Sequence, residues 1–452
     1  MDETDGLAPP ARRKAITTIA LAVGVSVLDT AVANIALPTM ATDFGTSASS
    51  TIWVVTAYQL AMTICLLPFA SLGDVYGYRR VYLAGLSVFT VASLLCGRSA
   101  SLPMLIVARV LQGLGAAGIV SVNTALVRFI FPRSMLGRGV ATTALVVASC
   151  SAAGPSVAAG ILALGSWHWL FLPNVPIGAA ALWLGLKSIP QTPRAGHRFD
   201  LPSAVLNALT FGLLLIGLDS LGHREDPWLV WPELVVGAVA GAVFVARQLT
   251  LSAPMLPLDL FRAPVFALSV ATSVCSYAAQ TIAYLALPFY FQVAGGLSQS
   301  HVGLLITPWP AVVVIVAPMA GRLSDRYSAG LLGGLGLGVL TAGLLLAMAL
   351  SPHAGFADVM WRMMVCGIGF GFFQSPNNRT LIAAAPPHRS GAASGMLSTA
   401  RLTGQTLGSV VVALVFALTH GNIAAGVGSA LAAGATFSGV ACMISFLRLT
   451  TR

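Results

Sequence analysis

Charged side chains are scarce along this chain, at 8% of 452 residues, while 57% are hydrophobic and the mean hydropathy is +0.86. So little charge cannot form a water-facing shell, which excludes a soluble globular protein and a solvated disordered one alike. Paired cysteines are lacking too. Cys65, Cys96, Cys150, Cys275, Cys366 and Cys442 stand singly without C-x-x-C spacing, and read as small buried hydrophobes, neither disulfides nor metal ligands. The histidines, among them His168, His197, His223, His301, His353, His388 and His420, show no H-E-x-x-H spacing, so no metal site is expected. No Walker motif is present, and Gly154-Pro-Ser-Val-Ala158 misses the last glycine of G-x-S-x-G inside an apolar run. An enzyme is therefore not expected.

What the chain does contain is long apolar runs. Each must cross about 30 Å of hydrocarbon at 1.5 Å per residue. On that measure the expectation is an all-α polytopic membrane protein with about fourteen spans, near 15–38, 52–72, 81–98, 103–127, 138–163, 168–188, 201–218, 229–249, 265–292, 300–321, 330–350, 359–384, 392–417 and 424–447. The first span follows Arg12-Arg13-Lys14 as a signal peptide would, but it is too long for one and carries Asp29, so it reads as an uncleaved helix. The net charge of +10 is distributed by loop. Eighteen of the 24 Lys and Arg fall in alternate loops, including Arg79, Arg80, Arg128, Arg133, Arg138, Lys187, Arg194, Arg198, Arg247, Arg262, Arg322, Arg326, Arg389, Arg448 and Arg452. The opposite loops hold Arg98, Arg224 and Arg362, and the spans hold Arg109, Arg379 and Arg401. This asymmetry puts both termini in the cytoplasm and argues against nucleic acid as a partner; the partner it requires is the lipid bilayer.

The chain repeats itself. Gly73-Asp-Val-Tyr-Gly-Tyr-Arg-Arg80 after the second span echoes Gly321-Arg-Leu-Ser-Asp-Arg-Tyr327 after the tenth, which suggests two related six-helix halves. Breaker-rich connectors at 190–200 and 253–264 flank two additional spans. The expected units are 1–190, a six-helix bundle; 191–262, two extra helices with connectors; and 263–452, a second six-helix bundle.

Asp29 is the most telling residue, a carboxylate inside an apolar run, where insertion costs about 2.5–3.5 kcal/mol. Its natural partner is Arg109 in the fourth span; depths reckoned from Pro38 and Pro103 put both about 9–14 Å below the outer surface. The pair handles protons, or it is a static ion pair locking two helices. Apart from Asp29, no acidic residue falls deep in a span. In span 265–292, Tyr277, Gln280 and Tyr284 share one helix face, and in span 359–384 Phe370, Gln374 and Asn377 do so, with Asn378 beside them. Such stripes line a cavity for flat lipophilic compounds or hydrogen-bond between helices. Trp309 between Pro308 and Pro310 gates or fills space. Arg379 can snorkel to the interface. Arg401 could balance Asp29, bind an anion or meet helix carbonyls.

In order and spacing the motifs are specific. Leu28-Asp29-Thr30 through Pro38, the Gly73-Asp74…Gly77…Arg79-Arg80 loop, Arg109…Gln112-Gly113, Gly154-Pro155, Trp167-His-Trp-Leu-Phe-Leu-Pro-Asn-Val-Pro176, Pro257-Leu-Asp-Leu-Phe-Arg262 and Gly391…Arg401…Gly404…Gly408 together resemble the major facilitator superfamily, in particular its fourteen-helix drug:proton antiporters of the QacA/EmrB type. The sequence departs from the family pattern at Ala70, Val75 and Tyr78, and places Cys150, Ala158 and Ala159, all small, where glycines are usual. The resemblance implies two bundles rocking around a midplane site, in a bacterial cytoplasmic membrane. Asp29 and Arg109 would couple to protons. Gly73, Asp74, Gly77, Arg79, Arg80, Gly321, Asp325 and Arg326 would form the cytoplasmic latch, and Gly154 and Pro155 the antiporter motif. The substrate cavity would draw on Asn34, Tyr58, Gln59, Gln112, Tyr277, Gln280, Tyr284, Trp309, Phe370, Gln374, Asn377, Asn378 and Arg401. The implied activity is export of lipophilic monocations or neutral drugs, driven by the proton gradient with no cofactor; the alternative is proton-linked transport of a specific metabolite, siderophore or anion. A monomer is expected, with a periplasmic partner left open.

Overall fold

The computed structural model describes residues 6–194, 198–222, 227–251, 254–351, 354–386, 390–419 and 422–450. Arg224, Arg389 and Arg452, and His197, His223, His353, His388 and His420, lie outside them. The first half comprises α1 (Pro9–Phe44), α2 (Ala48–Tyr76), α3 (Tyr78–Cys96), α4 (Leu102–Ile130), α5 (Leu136–Leu164) and α6 (Asn174–Ser188). Next come α7 (Leu201–Gly222) and α8 (Pro227–Gln248). The last part holds α9 (Pro264–Phe289), α10 (Gln299–Ile306), α11 (Pro308–Leu323), α12 (Ala329–Met348), α13 (Phe356–Ala383), α14 (Ser390–Leu418) and α15 (Ile423–Leu447). Because α10 and α11 form one span bent at Thr307, the described residues give 14 membrane-crossing segments and no strand.

Helix ends differ from the sequence expectation where proline was read as a stop. Pro38 lies inside α1, which runs on to Phe44 and closes on Gly45 at φ +63°. In a membrane a proline is tolerated when neighbours satisfy the loosened backbone, and here Gln292 Nε2 donates to the Ile35 carbonyl at 2.7 Å. Asp29 is therefore farther from the outer helix end than a count from Pro38 suggests. At the other end of the first half, α7 continues past 218 and brings Asp219 into a helix, only 7% exposed and accepting from Trp53 Nε1 at 2.9 Å. Asp29 is thus not the sole buried carboxylate, although Asp219 sits near a helix end.

The two halves pack by the same scheme. In the first, α4 lies against α2 and α3, and α1 against α5 and α6; in the second, α13 lies against α11 and α12, and α9 against α14 and α15. Glycine makes these approaches possible, since with little hydrophobic drive between helices in lipid, close backbone contact supplies the attraction. A Cβ on Gly113 would stand 2.5 Å from the Tyr58 carbonyl, and one on Gly367 would stand 2.5 Å from the Trp309 carbonyl. A Cβ on Gly115 would stand 2.4 Å from Phe89 N, and one on Gly369 2.4 Å from Leu340 N. The repetition defines equivalent positions, and they show an asymmetry. Arg109, four residues before Gly113, corresponds to Met363, four before Gly367; Asp29, nine before Pro38, corresponds to Ala279, nine before Pro288. At these equivalent positions only the first half carries charge.

One buried apolar cluster joins both halves, running through Ile35, Leu37 and Met40 of α1, Leu285 and Phe289 of α9, and Val302 and Leu305 of α10. Toward the arginine-rich end the clusters separate. Ile19, Leu126 and Ile130 belong to one almost wholly within the first half, and Phe266, Leu381 and Met396 to one wholly within the second. Buried apolar packing joins the halves at the end remote from the arginine-rich loops, and near those loops each half keeps its own cluster, the pattern expected of an inward-facing arrangement under the positive-inside orientation. The α7–α8 pair packs across α2 and α14. Hydrogen bonds tie it to α2, Trp53 to Asp219 and Asn207 Nδ2 to the Ile64 carbonyl at 2.7 Å, while Leu215 meets Val410 of α14 through an apolar cluster.

Replacing Gly115 by Ala should destabilise the protein by about 1–3 kcal/mol through overpacking. Gly160→Ala, where an added Cβ meets nothing within 4 Å, should be nearly silent. Thermal unfolding in detergent checks both.

Candidate functional site

Asp29 is 0% exposed and sits on α1 at the meeting point of α3, α4 and α6. Arg109 Nη1 donates to its Oδ2 in an ion pair sealed from solvent on both sides. Gln112 Nε2 and Asn174 Nδ2 each donate to Oδ1 at 2.8 Å. The arginine is held in turn. Its Nε donates to the Val54 carbonyl at 2.9 Å and Nη1 also reaches Gln112 Oε1 at 2.6 Å. Its guanidinium lies 4.2 Å from the Tyr58 ring centroid and 5.5 Å from that of Phe171. Gln112 closes the network by donating to Ser93 Oγ at 2.9 Å. A buried ion pair survives only when such additional hydrogen bonds satisfy its remaining atoms.

Two of these partners were not singled out as site residues from sequence. Ser93 carries no signal of its own. Asn174 does have one, as the sole amide in Pro173-Asn-Val-Pro176, a segment noted above only as a motif. The same segment fixes the outer end of α1, because Trp167 Nε1 donates to Asp43 at 2.8 Å and its ring lies edge-on to Phe44.

The two polar stripes do meet. Gln374 Nε2 donates to the Tyr277 hydroxyl at 3.0 Å, and Phe370 lies edge-on to Tyr277 at 5.4 Å. Tyr284 packs edge-on against Trp309 at 5.0 Å. Gln280 and Asn378 are half-buried. Asn377 turns elsewhere: it donates to Ser273 Oγ at 2.8 Å and accepts from Arg448 Nη1 at 2.7 Å, which makes it part of a polar cluster between α9, α13 and α15. Asn34 Oδ1, Gln59 Oε1, Trp309 Nε1 and Asn378 Oδ1 are buried with no hydrogen-bond partner. Arg401 is half-buried on α14, the helix of the second half that packs against α2. A separate outer cleft of about 510 Å³, lined in part by Thr39, Asp43 and Gln292, lies away from these stripes.

The latch residues form bonds within each half. Tyr78 donates its hydroxyl to Asp74, and Gly77 turns the chain at φ +95°. A Cβ on Gly73 would collide with Tyr78 and Val122 at 2.7 Å. Arg79 Nη2 reaches the Leu186 carbonyl at 2.5 Å, while Arg80 and Arg326 are exposed. In the second half Asp325 pairs with Arg379, which thereby has a partner beyond the interface, and Gly321 lies against Ser375. Among the described residues no ion pair joins Asp74 or Asp325 to the opposite half, consistent with a parted inner end. Gly154 packs on Ala31 of α1, and a Cβ at Gly303 of α10 would stand 2.7 Å from the Pro155 carbonyl, which puts the antiporter motif at the seal between halves.

A model of the Major Facilitator Superfamily matches residues 19–409. The chain is 50% identical over 450 residues to the uncharacterized transporter YebQ of Escherichia coli (strain K12), covering 99% of this chain and 98% of that protein. It is 30% identical over 460 residues to the riboflavin transporter RibZ of Clostridioides difficile (strain 630), covering 98% and 99%. It is 33% identical over 419 residues to the multidrug resistance protein Stp of Mycobacterium tuberculosis (strain CDC 1551 / Oshkosh), covering 90% and 76%.

Arg109→Met should cost about 3–5 kcal/mol, because it strands a buried carboxylate. Combined with Asp29→Leu, the same change should restore most of that stability. Thermal unfolding of the two single variants and the double variant measures the difference.

Proposed function

The chain belongs to the major facilitator superfamily and is a multi-pass membrane transporter, and on that premise we propose that it is a proton-coupled exporter of lipophilic monocationic or neutral compounds. The carrying observation is the Asp29 network. Both carboxylate oxygens accept from donors on other helices, so protonating Asp29 removes the charge that holds Arg109 and favours its displacement along with that of Gln112 or Asn174. That displacement loosens α1 from α4 and α6. It also leaves a buried guanidinium without its counter-charge, a change worth about 3–5 kcal/mol. The same helix carries Ile35, less than two turns onward, where Gln292 of the other half closes the outer end. Protonation and the seal are thus linked through one helix, as alternating access requires.

The side chains of the two stripes support the substrate class. Ring faces of Tyr277, Phe370, Tyr284 and Trp309 with the amide of Gln374 suit flat lipophilic molecules, through stacking, cation–π contact and hydrogen bonds. None of the described groups in these stripes is a carboxylate, which favours single or no charge over dications. The energetics agree, since roughly 100 mV contributes about 2.3 kcal/mol per charge and one pH unit about 1.4 kcal/mol. One proton could then hold a neutral compound at a gradient of several hundredfold, and a monocation at about tenfold. Relatives named as multidrug resistance proteins point the same way.

The second reading is proton-linked transport of one metabolite. The buried, unpartnered polar atoms of Asn34, Gln59 and Trp309 favour it, because they would be satisfied by a flat heterocycle with its own donors and acceptors. A relative named as a riboflavin transporter fits that chemistry.

In a pump-deficient bacterium the protein should lower ethidium accumulation, and both an uncoupler and Asp29→Asn should abolish the effect. If the well-expressed protein leaves ethidium unchanged but moves riboflavin in an uncoupler-sensitive way, the metabolite reading replaces the drug-export one.

A further inference from the structure

At the arginine-rich end, away from the Asp29 network, a cavity of about 250 Å³ opens between the α2–α3 turn and the connector that leaves α6. Arg79 and Arg80 line it from the turn, and Arg194 and Thr192 from the connector. The described lining holds no acidic residue, so three guanidiniums share a small volume with no counter-charge of their own. Gly77 caps α3 and Arg79 lies in its first turn, which adds the positive end of that helix to the same space.

The cavity is a built feature. Thr192 Oγ1 accepts from the Tyr78 amide at 2.9 Å, which ties the connector to the turn, and Arg79 is braced against the Leu186 carbonyl. Gly77 at φ +95° lets the chain turn beside Thr192. Its level in the membrane is marked by α6. Trp183 is 59% exposed, and Lys187 Nζ lies 3.9 Å from its ring centroid, an aromatic with a snorkelling cation of the kind found where acyl chains meet headgroups. Tyr76, 51% exposed, stands at the cavity edge, and Leu83 contributes an apolar wall. Positive charge at headgroup depth beside apolar wall matches a phosphate ester that carries acyl chains.

We propose that this cavity binds the phosphate headgroup of an anionic phospholipid of the inner leaflet, with Arg79, Arg80 and Arg194 as its ligands. The bound headgroup would clamp the latch turn to the connector leading to the extra helices. The phosphate could also come from a soluble phosphate ester, but the cavity's depth beside Trp183 favours the lipid.

The test is native mass spectrometry of the full-length protein released from nanodiscs of mixed phosphatidylglycerol and phosphatidylcholine. The parent should retain phosphatidylglycerol selectively. Arg194→Gln, on the exposed connector, should weaken that retention about fivefold, and Arg80→Gln with Arg194→Gln about 25-fold, as expected of roughly 1 kcal/mol per charge near an anionic surface. Arg322→Gln with Arg326→Gln, equal in charge but in the second half and outside the cavity lining, should keep it. Unchanged retention in the cavity variants, or an equal loss in the remote pair, overturns the proposal. Displacement of the lipid by glycerol 3-phosphate at comparable affinity would also overturn it, in favour of a soluble phosphate ester.

Discussion

The ion pair between Asp29 and Arg109 governs the rest of the structure. Neither charge is accessible, and taking both from water costs several kcal/mol per ion before any compensation. The compensation is local and specific: Gln112, Asn174 and the Val54 carbonyl supply hydrogen bonds, while Arg109 Nη2 is buried without one, and Tyr58 and Phe171 present ring faces to the guanidinium. Five elements of the first half are therefore constrained to converge on one point. Any event that neutralises the carboxylate removes the reason for that convergence.

The scaffold around the pair is duplicated, but the charge is not. Glycine contacts at Gly113 and Gly115 recur at Gly367 and Gly369, so both halves are built by the same close backbone approach. At the positions equivalent to Asp29 and Arg109 the second half has Ala279 and Met363, and instead offers Tyr277, Phe370 and Gln374. Buried ionic groups and aromatic–amide stripes are thus divided, at these positions, between two copies of one architecture. The halves meet at the outer end through Gln292 and Ile35, through Ser156 and Thr307 at 2.9 Å, and nearer the middle through Thr63 and Thr406 at 3.0 Å. A few neutral hydrogen bonds of about 1 kcal/mol each can break and re-form during rocking, as a buried ion pair could not.

Much of this was legible in the sequence, because a membrane imposes simple rules. Span number follows from hydrocarbon thickness, orientation from the arginines, and duplication from the Gly73 and Gly321 loops. Asp29 and Arg109 were conspicuous because an ionisable residue in lipid is costly. Asn174 was not, since an amide near a helix start reads as a cap, and only the packing of α6 on α1 brings it to the carboxylate. Proline misled at Pro38, where tertiary neighbours let the helix continue. Periodicity likewise grouped Asn377 with Phe370 and Gln374, yet Arg448, far off in sequence, draws it into a polar cluster with Ser269 and Ser273. Helical spacing says which residues share a face; it does not say which neighbour that face meets.

The central claim is that Asp29 carries the coupling proton and surrenders it when a substrate binds. The most direct measurement is the pH change when ethidium is added to the purified protein in weakly buffered detergent solution. The account predicts that the parent releases protons in proportion to bound ethidium and that Asp29→Asn binds ethidium with no release. Undiminished proton release from Asp29→Asn would contradict it.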